Sequence, residues 1–230
     1  MLFASLSAAA QEYTPHELWP FIYEDFAPAE VLLSNGERVI LDAANINVAD
    51  GKLYFVQNDT VKVTARMVTA ASIQGDNYIS AMGRLMKALR RTKHGAVLFD
   101  AEVDHEAMTR DDVGYGFKSS VSAVDKRNIL EGANGATMSL RMEQQPLELL
   151  KMHKNGGEPL ALKEVKYVFL YGGYTVRAIK SDVRNINGLD KKKLNAFWKE
   201  NKVKYSDDDS LAALVEFIAG SLQPNPGSQK

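Results

Sequence analysis

Ala29-Glu30-Val31-Leu32-Leu33-Ser34-Asn35-Gly36-Glu37-Arg38-Val39-Ile40-Leu41 decides the fold of this chain. Two short apolar runs flank Asn35-Gly36, a dipeptide that accepts the positive φ of a type I′ turn, so residues 29–34 and 37–41 read as an antiparallel hairpin. The pattern repeats downstream. Asp50-Gly51 precedes residues 52–57, Asn58-Asp59 precedes 60–65, and Gly75-Asp76 precedes 77–81. Short strands spaced by turn chemistry predict an antiparallel meander or barrel-like sheet.

Residues 84–91 carry two readings. Leu85, Met86 and Leu89 fit a helical stripe, but the flanking Gly83 and Gly95 favour a hairpin with its tip at Lys93-His94. From 96 to 104 the strand signal is plain: Phe99, Ala101 and Val103 alternate with Asp100, Glu102 and Asp104. Residues 109–137 are rich in Gly, Ser, Asn, Asp and Ala and lack periodicity, which predicts a long loop that is either functional or disordered, with Tyr115 and Phe117 able to pin it. Strands resume over 147–152, 163–171 and 174–179, the last two joined by Gly172-Gly173 as a tight hairpin, so the sheet could have two parts.

The tail reads as helical. Leu194, Phe197 and Trp198 share one face of residues 190–200, opposite Lys191, Lys192, Lys193 and Lys199. A second helix opens at Ser206-Asp207-Asp208-Asp209, where carboxylates cap free N–H groups and meet the positive end of the dipole. Its stripe is Leu211, Leu214, Val215 and Ile218, and Gly220 followed by Pro224 ends it. Such short helices must dock on the sheet. The expected class is mainly β within α+β: an N-terminal antiparallel region over 11–108, a flexible stretch over 109–145, and further hairpins over 146–186. A docked helical pair over 187–223 and a disordered tail over 224–230 follow.

The first residues carry an address. Met1-Leu2-Phe3-Ala4-Ser5-Leu6 is apolar and runs into Ala8-Ala9-Ala10, the small-x-small pattern that signal peptidase cuts, so residues 1–10 read as the remnant of a secretory leader without its basic start. Cleavage there leaves Gln11 or Glu12 as the mature terminus. The competing reading is a short apolar helix packed on the domain.

Composition narrows the function. The 230 residues hold 28 basic and 29 acidic side chains, a formal net charge of −1, so no global field exists to hold a polyanion, and nucleic-acid binding is disfavoured. Cysteine is absent, which excludes disulfides, a thiol nucleophile and an N-terminal lipid anchor. Beyond the leader no apolar run approaches the roughly 18 residues that span a bilayer.

The opening Leu18-Trp19-Pro20-Phe21-Ile22-Tyr23-Glu24-Asp25-Phe26, followed by a strand and Ser34-Asn35-Gly36-Glu37, resembles an exported family of unknown function from Bacteroidetes-type bacteria. The likeness continues through Asn77-Tyr78-Ile79, Gly83-Arg84-Leu85-Met86 and Val113-Gly114-Tyr115-Gly116. It ends in Phe197-Trp198-Lys199-Glu200-Asn201-Lys202-Val203-Lys204-Tyr205-Ser206-Asp207, similar to that family's Lys-rich helix, linker and Asp-capped last helix. The resemblance implies export and this fold, and it carries no activity.

Two constellations qualify as candidate sites. Trp19, Phe21, Tyr23 and Phe26, with Tyr115, could form a stacking surface for an envelope protein or glycan, although an N-terminal arm closing the end of a β core uses the same residues. Asp100, Glu102 and Asp104 alternate along one strand, a spacing that suits paired carboxylates or a hard cation, while the plainer reading is the wet face of a half-exposed strand, with Lys87 opposite Asp100. His105-Glu106 begins like a zinc-protease helix, but Thr109 stands where the second histidine belongs. The histidines are scattered, no Gly-x-Ser-x-Gly occurs, and Gly114-Tyr115-Gly116 and Gly172-Gly173 lack what a phosphate loop needs. The basic tip Arg90, Arg91, Lys93 and His94 reads as a solvated hairpin end. The sequence therefore predicts an exported, non-catalytic binding or assembly protein without a cofactor or metal, the alternative being a hydrolase or cation binder built on the acidic strand.

Overall fold

The computed structural model describes residues 13–64, 67–108 and 144–222, with the backbones of 112–113 and 117–118. Residues 1–12, Tyr115, most of the 109–145 stretch and the 224–230 tail lie outside the described residues, and with them the expected leader remnant over 1–10.

The fold is mainly β. Its strands are β1 (Ala27–Leu33), β2 (Arg38–Ile46), β3 (Leu53–Gln57), β4 (Thr60–Val63), β5 (Val68–Ile73), β6 (Asp76–Ala81), β7 (Arg84–Arg91), β8 (Gly95–Val103), β9 (Asp112–Val113), β10 (Phe117–Lys118), β11 (Leu162–Leu170) and β12 (Tyr174–Arg177). The helices are α1 (His105–Met108), α2 (Leu147–His153), α3 (Lys180–Arg184), α4 (Lys191–Asn201) and α5 (Asp208–Leu222). Ten strands form one open antiparallel sheet in the order β12-β11-β8-β7-β6-β5-β1-β2-β3-β4, while β9 and β10 pair separately. The single hairpin that follows the long stretch, β11–β12, thus extends the same sheet beside β8.

Local chemistry explains most of the turns. Gly36 alone in the β1–β2 loop takes a left-handed φ of 83°, and the Asn35 side chain accepts from the Glu37 N–H at 3.0 Å. The connection is therefore a three-residue turn with glycine at its left-handed position rather than a two-residue type I′ turn. Residues 84–91 resolve as strand β7, hairpin-paired to β8.

The stretch 147–152, expected as a strand, is helix α2. Leu147 and Leu150 fall three apart, Leu150 is buried, and Pro146 stands immediately before the helix with a φ of −58°, where a missing N–H costs nothing. Leu, Glu, Lys and Met are strong helix formers, and over seven residues their apolar pattern does not separate helix from strand. Helix α5 also runs through Gly220 to Leu222, because the burial of Ile218 and Ala219 outweighs one exposed glycine.

Strong curling makes this sheet a vessel. Only residues 64–67 join β4 to β5, yet β3, β2 and β1 lie between them in the sheet. On a flat sheet that is four strand spacings, about 19 Å, more than the ~17 Å such a short connection covers. The sheet must roll. The β2–β3 connection and the start of β7, whose strand is separated from β3 by four others, accordingly meet: the Leu85 N–H donates to the Gly51 carbonyl at 2.8 Å. Gly51 is required there, since it holds a φ of 66° and a Cβ would lie 2.6 Å from that of Arg84.

Inside the roll, Val31, Leu33, Ile46, Leu53, Ile73, Tyr78 and Leu85 form one core. The outer side of β3 and β4 is covered by the N-terminal arm and α2 around Trp19, Phe21, Tyr54 and Leu150. At the other end α3, α4 and α5 pack on Val97, Val168 and Leu170, so the helices dock on the sheet as the amphipathic stripes predict. Asp190 caps α4, accepting from the N–H groups of Lys192 and Lys193 at 2.8 and 3.2 Å.

Candidate functional site

The aromatic arm serves the core. Trp19 and Phe21 are 1% and 0% exposed, and Phe21 makes edge-on contacts with Trp19, Phe26 and Tyr54 at centroid distances of 5.0 to 5.6 Å. Trp19 and Phe21 are thus packed as an arm that closes the end of the β core packs them, while Tyr23 and Phe26 are half-buried and Tyr115 lies outside the described residues. Tyr23 is tied down by its hydroxyl, 2.7 Å from that of Tyr78 and within hydrogen-bond distance of Asp76 and the Ile73 carbonyl. Burial pushes both phenols up, Tyr78 to about 12 and Tyr23 further. Asn45, fully buried, holds the arm in place by accepting from the Tyr23 N–H and donating to the carbonyls of Tyr23 and Asp25.

Along the acidic strand Asp100 is buried, while Glu102 and Asp104 are half-buried. Asp100 is 4% exposed and receives the Arg84 guanidinium, Nε to Oδ2 at 2.5 Å and Nη2 to Oδ1 at 3.3 Å. The same guanidinium donates to the carbonyls of Val48 and Ala49 at 2.9 and 3.1 Å. Desolvation is the strongest influence on Asp100 and raises its pKa, against the pull of Arg84. Glu102 accepts from the Tyr167 hydroxyl at 2.8 Å, and Asp104 caps α1 by accepting from the Ala107 N–H at 3.0 Å. Each carboxylate thus has its own structural partner. Lys87 lies opposite Phe99, not Asp100, and pairs with Asp76 at 2.8 Å.

The remaining candidates are likewise absorbed by the fold. At the basic tip Arg90 reaches Asp209 and His94 reaches Glu216, both at 2.7 Å, clamping the β7–β8 hairpin to α5. Hydrogen bonds from Thr92 and His94 hold the Glu216 carboxyl down to about 2. Among the described residues no group of three or more His, Asp or Glu side chains could hold a metal ion. No helix there is long and apolar enough to cross a membrane.

What the fold leaves open is the inside of the roll. A cavity of about 400 Å³ is lined by Val31, Leu33, Val39, Leu41 and Phe55, with Gln57 and Thr64 as its polar members. A second, of about 500 Å³, adjoins it at Thr64 and is lined by Leu53, Val63, Met67, Val68 and Leu85, with Lys52, Ser80 and Arg84. Both volumes fall within the range of small-ligand sites. Thr64 spends its hydroxyl on the Leu53 carbonyl and Gln57 accepts from Lys62 Nζ, so the polar members of the first cavity are already engaged.

Two exposed methionines belong to the second cavity's surroundings. Met67, 71% exposed, lines it, and Met82, 70% exposed, forms the β6–β7 turn with Gly83, itself a lining residue. Met82 holds a φ of 52°, a conformation unfavourable to a side chain that gains nothing locally from it. Sequence reasoning missed both cavities, because their walls come from strands whose side chains look like ordinary core. A methionine in the left-handed position of a two-residue turn was the available signal.

Comparisons with protein families, with curated proteins and with solved structures return no match.

Proposed function

We propose that this chain is an exported, non-catalytic binding protein of the cell envelope, and that the rolled sheet holds an apolar ligand against β1, β2 and β3. The observation that carries the reading is the first cavity. Half-buried Val39, Leu41 and Phe55, over the buried Val31 and Leu33, line a concavity large enough for a small ligand. Removing such surface from water is worth about 25 cal/mol per Å². Export is supported by Ala8-Ala9-Ala10 behind an apolar run and by the likeness of the aromatic opening to an exported bacterial family.

The alternative, a hydrolase or cation binder on Asp100, Glu102 and Asp104, has less behind it. All three carboxylates are engaged by Arg84, Tyr167 and the α1 backbone, and none lines either cavity. An assembly role with an envelope partner is compatible with ligand binding.

N-phenyl-1-naphthylamine, a dye that brightens in apolar surroundings, tests the reading. Wild-type protein should enhance its fluorescence saturably, and Val39→Trp, which places an indole in the cavity, should suppress that enhancement while the circular dichroism spectrum stays unchanged. An absence of saturable enhancement in the wild type would contradict the proposal.

A further inference from the structure

We infer that the ligand is a long-chain carboxylate, its hydrocarbon chain in the first cavity and its head in the second, paired with Lys52; this rests on the apolar-ligand reading above. Both cavities have Thr64 in their wall, so they lie side by side. Their chemistry differs in the direction an amphiphile needs. The first has no charged lining residue among those described, whereas the second contains Lys52 and Arg84.

Of these cations only one is available. The Arg84 guanidinium is committed to Asp100 and to the carbonyls of Val48 and Ala49. Lys52 is exposed, and its ammonium has no ion-pair or hydrogen-bond partner among the described residues, while its backbone N–H is held by Asp50 at 2.9 Å. No described carboxylate lines either cavity; the nearest to their cations, Asp50 and Asp100, are engaged with the Lys52 backbone N–H and with Arg84. An ammonium on a flexible stem beside an apolar hollow favours an anionic head over a neutral or cationic one. Ser80, on the same wall, supplies a hydroxyl that can donate to a carboxylate oxygen.

Oleate, oleyl alcohol and oleylamine share a chain and differ in the head, and their competition against N-phenyl-1-naphthylamine, below their micelle-forming concentrations, tests the assignment. Wild-type protein should bind oleate about tenfold more tightly than oleyl alcohol, and oleylamine most weakly. Lys52→Met should bring oleate to the level of the alcohol, and Lys52→Arg should keep the preference. If oleate and oleyl alcohol bind wild type equally, or if Lys52→Met keeps the preference, the carboxylate assignment is wrong while the apolar reading stands. If none of the three displaces the dye and the dye itself does not bind, both fall.

Discussion

Arg84 and Asp100 join three parts of the chain that no local signal connects. The guanidinium of β7 grips the buried carboxylate of β8 and, with its remaining donors, the carbonyls of Val48 and Ala49 in the β2–β3 connection. This is the place where the rolled sheet meets itself, one residue from the backbone bond between Leu85 and Gly51. The pair therefore fixes the curvature that creates the cavities.

Arg84→Leu should destabilise the protein by about 3–5 kcal/mol, since it strands a buried carboxylate and two carbonyls. Chemical denaturation measures it. Asp100 also has a pH signature. Its folded pKa lies above the ordinary carboxylate value, so the stability it contributes is fully present below about pH 4 and declines as pH rises through the folded value. The stability difference between wild type and Asp100→Asn should shrink over that window. A difference that grows with pH would mean that Arg84 more than offsets the desolvation.

Met82→Asn should do two opposite things. Asparagine suits the left-handed first position of a two-residue turn, so stability should rise by about 1 kcal/mol. Affinity for an apolar dye should fall, because the exposed thioether beside the second cavity is lost. A variant that is more stable and binds unchanged would leave the strained methionine without a role in binding.

Tyr23 and Tyr78 should resist alkaline titration. Free tyrosine ionises near pH 10, but both folded phenols are raised, first by burial and also by Asp76 nearby; the hydrogen bond between them raises Tyr23 further and lowers Tyr78, which still reaches about 12. Stability contributed by the pair is present below about pH 10 and is lost as pH rises further, since the unfolded chain ionises first. Ultraviolet titration should show these groups ionising only with unfolding; Tyr78→Phe should remove part of that alkaline dependence.

Leu214→Asp tests the docking of the helices. Leu214 is fully buried between α5 and the sheet, and an unpaired carboxylate there costs several kcal/mol, a large share of the roughly 5–15 kcal/mol that holds a domain together. The thermal midpoint should collapse. An unchanged midpoint would mean that the helix does not contribute to the fold's stability.

The parts of this fold that are legible in the sequence are those whose cause is local. The β1–β2 hairpin at Gly36, the β11–β12 hairpin at Gly172-Gly173 and the Asp190 cap each follow from a few adjacent residues. The short helix α2 was obscured because Leu147, Leu149 and Leu150 satisfy either period over so few residues. Asp100 shows a different limit. Alternation places it opposite Phe99, but which face is wet depends on Arg84, sixteen residues earlier, and on the β2–β3 connection folded over both. The cavities lie one step further away. They follow from curvature, which the 64–67 connection demands only once the strand order is known.

Methyl-resolved NMR during titration with oleate tests the central claim most directly. The account predicts saturable shifts concentrated at the methyls of Val31, Leu33, Val39 and Leu41, with those of Leu211, Leu214 and Ile218 under the helices unmoved. Shifts confined to the helical end of the sheet, or none anywhere, would contradict it.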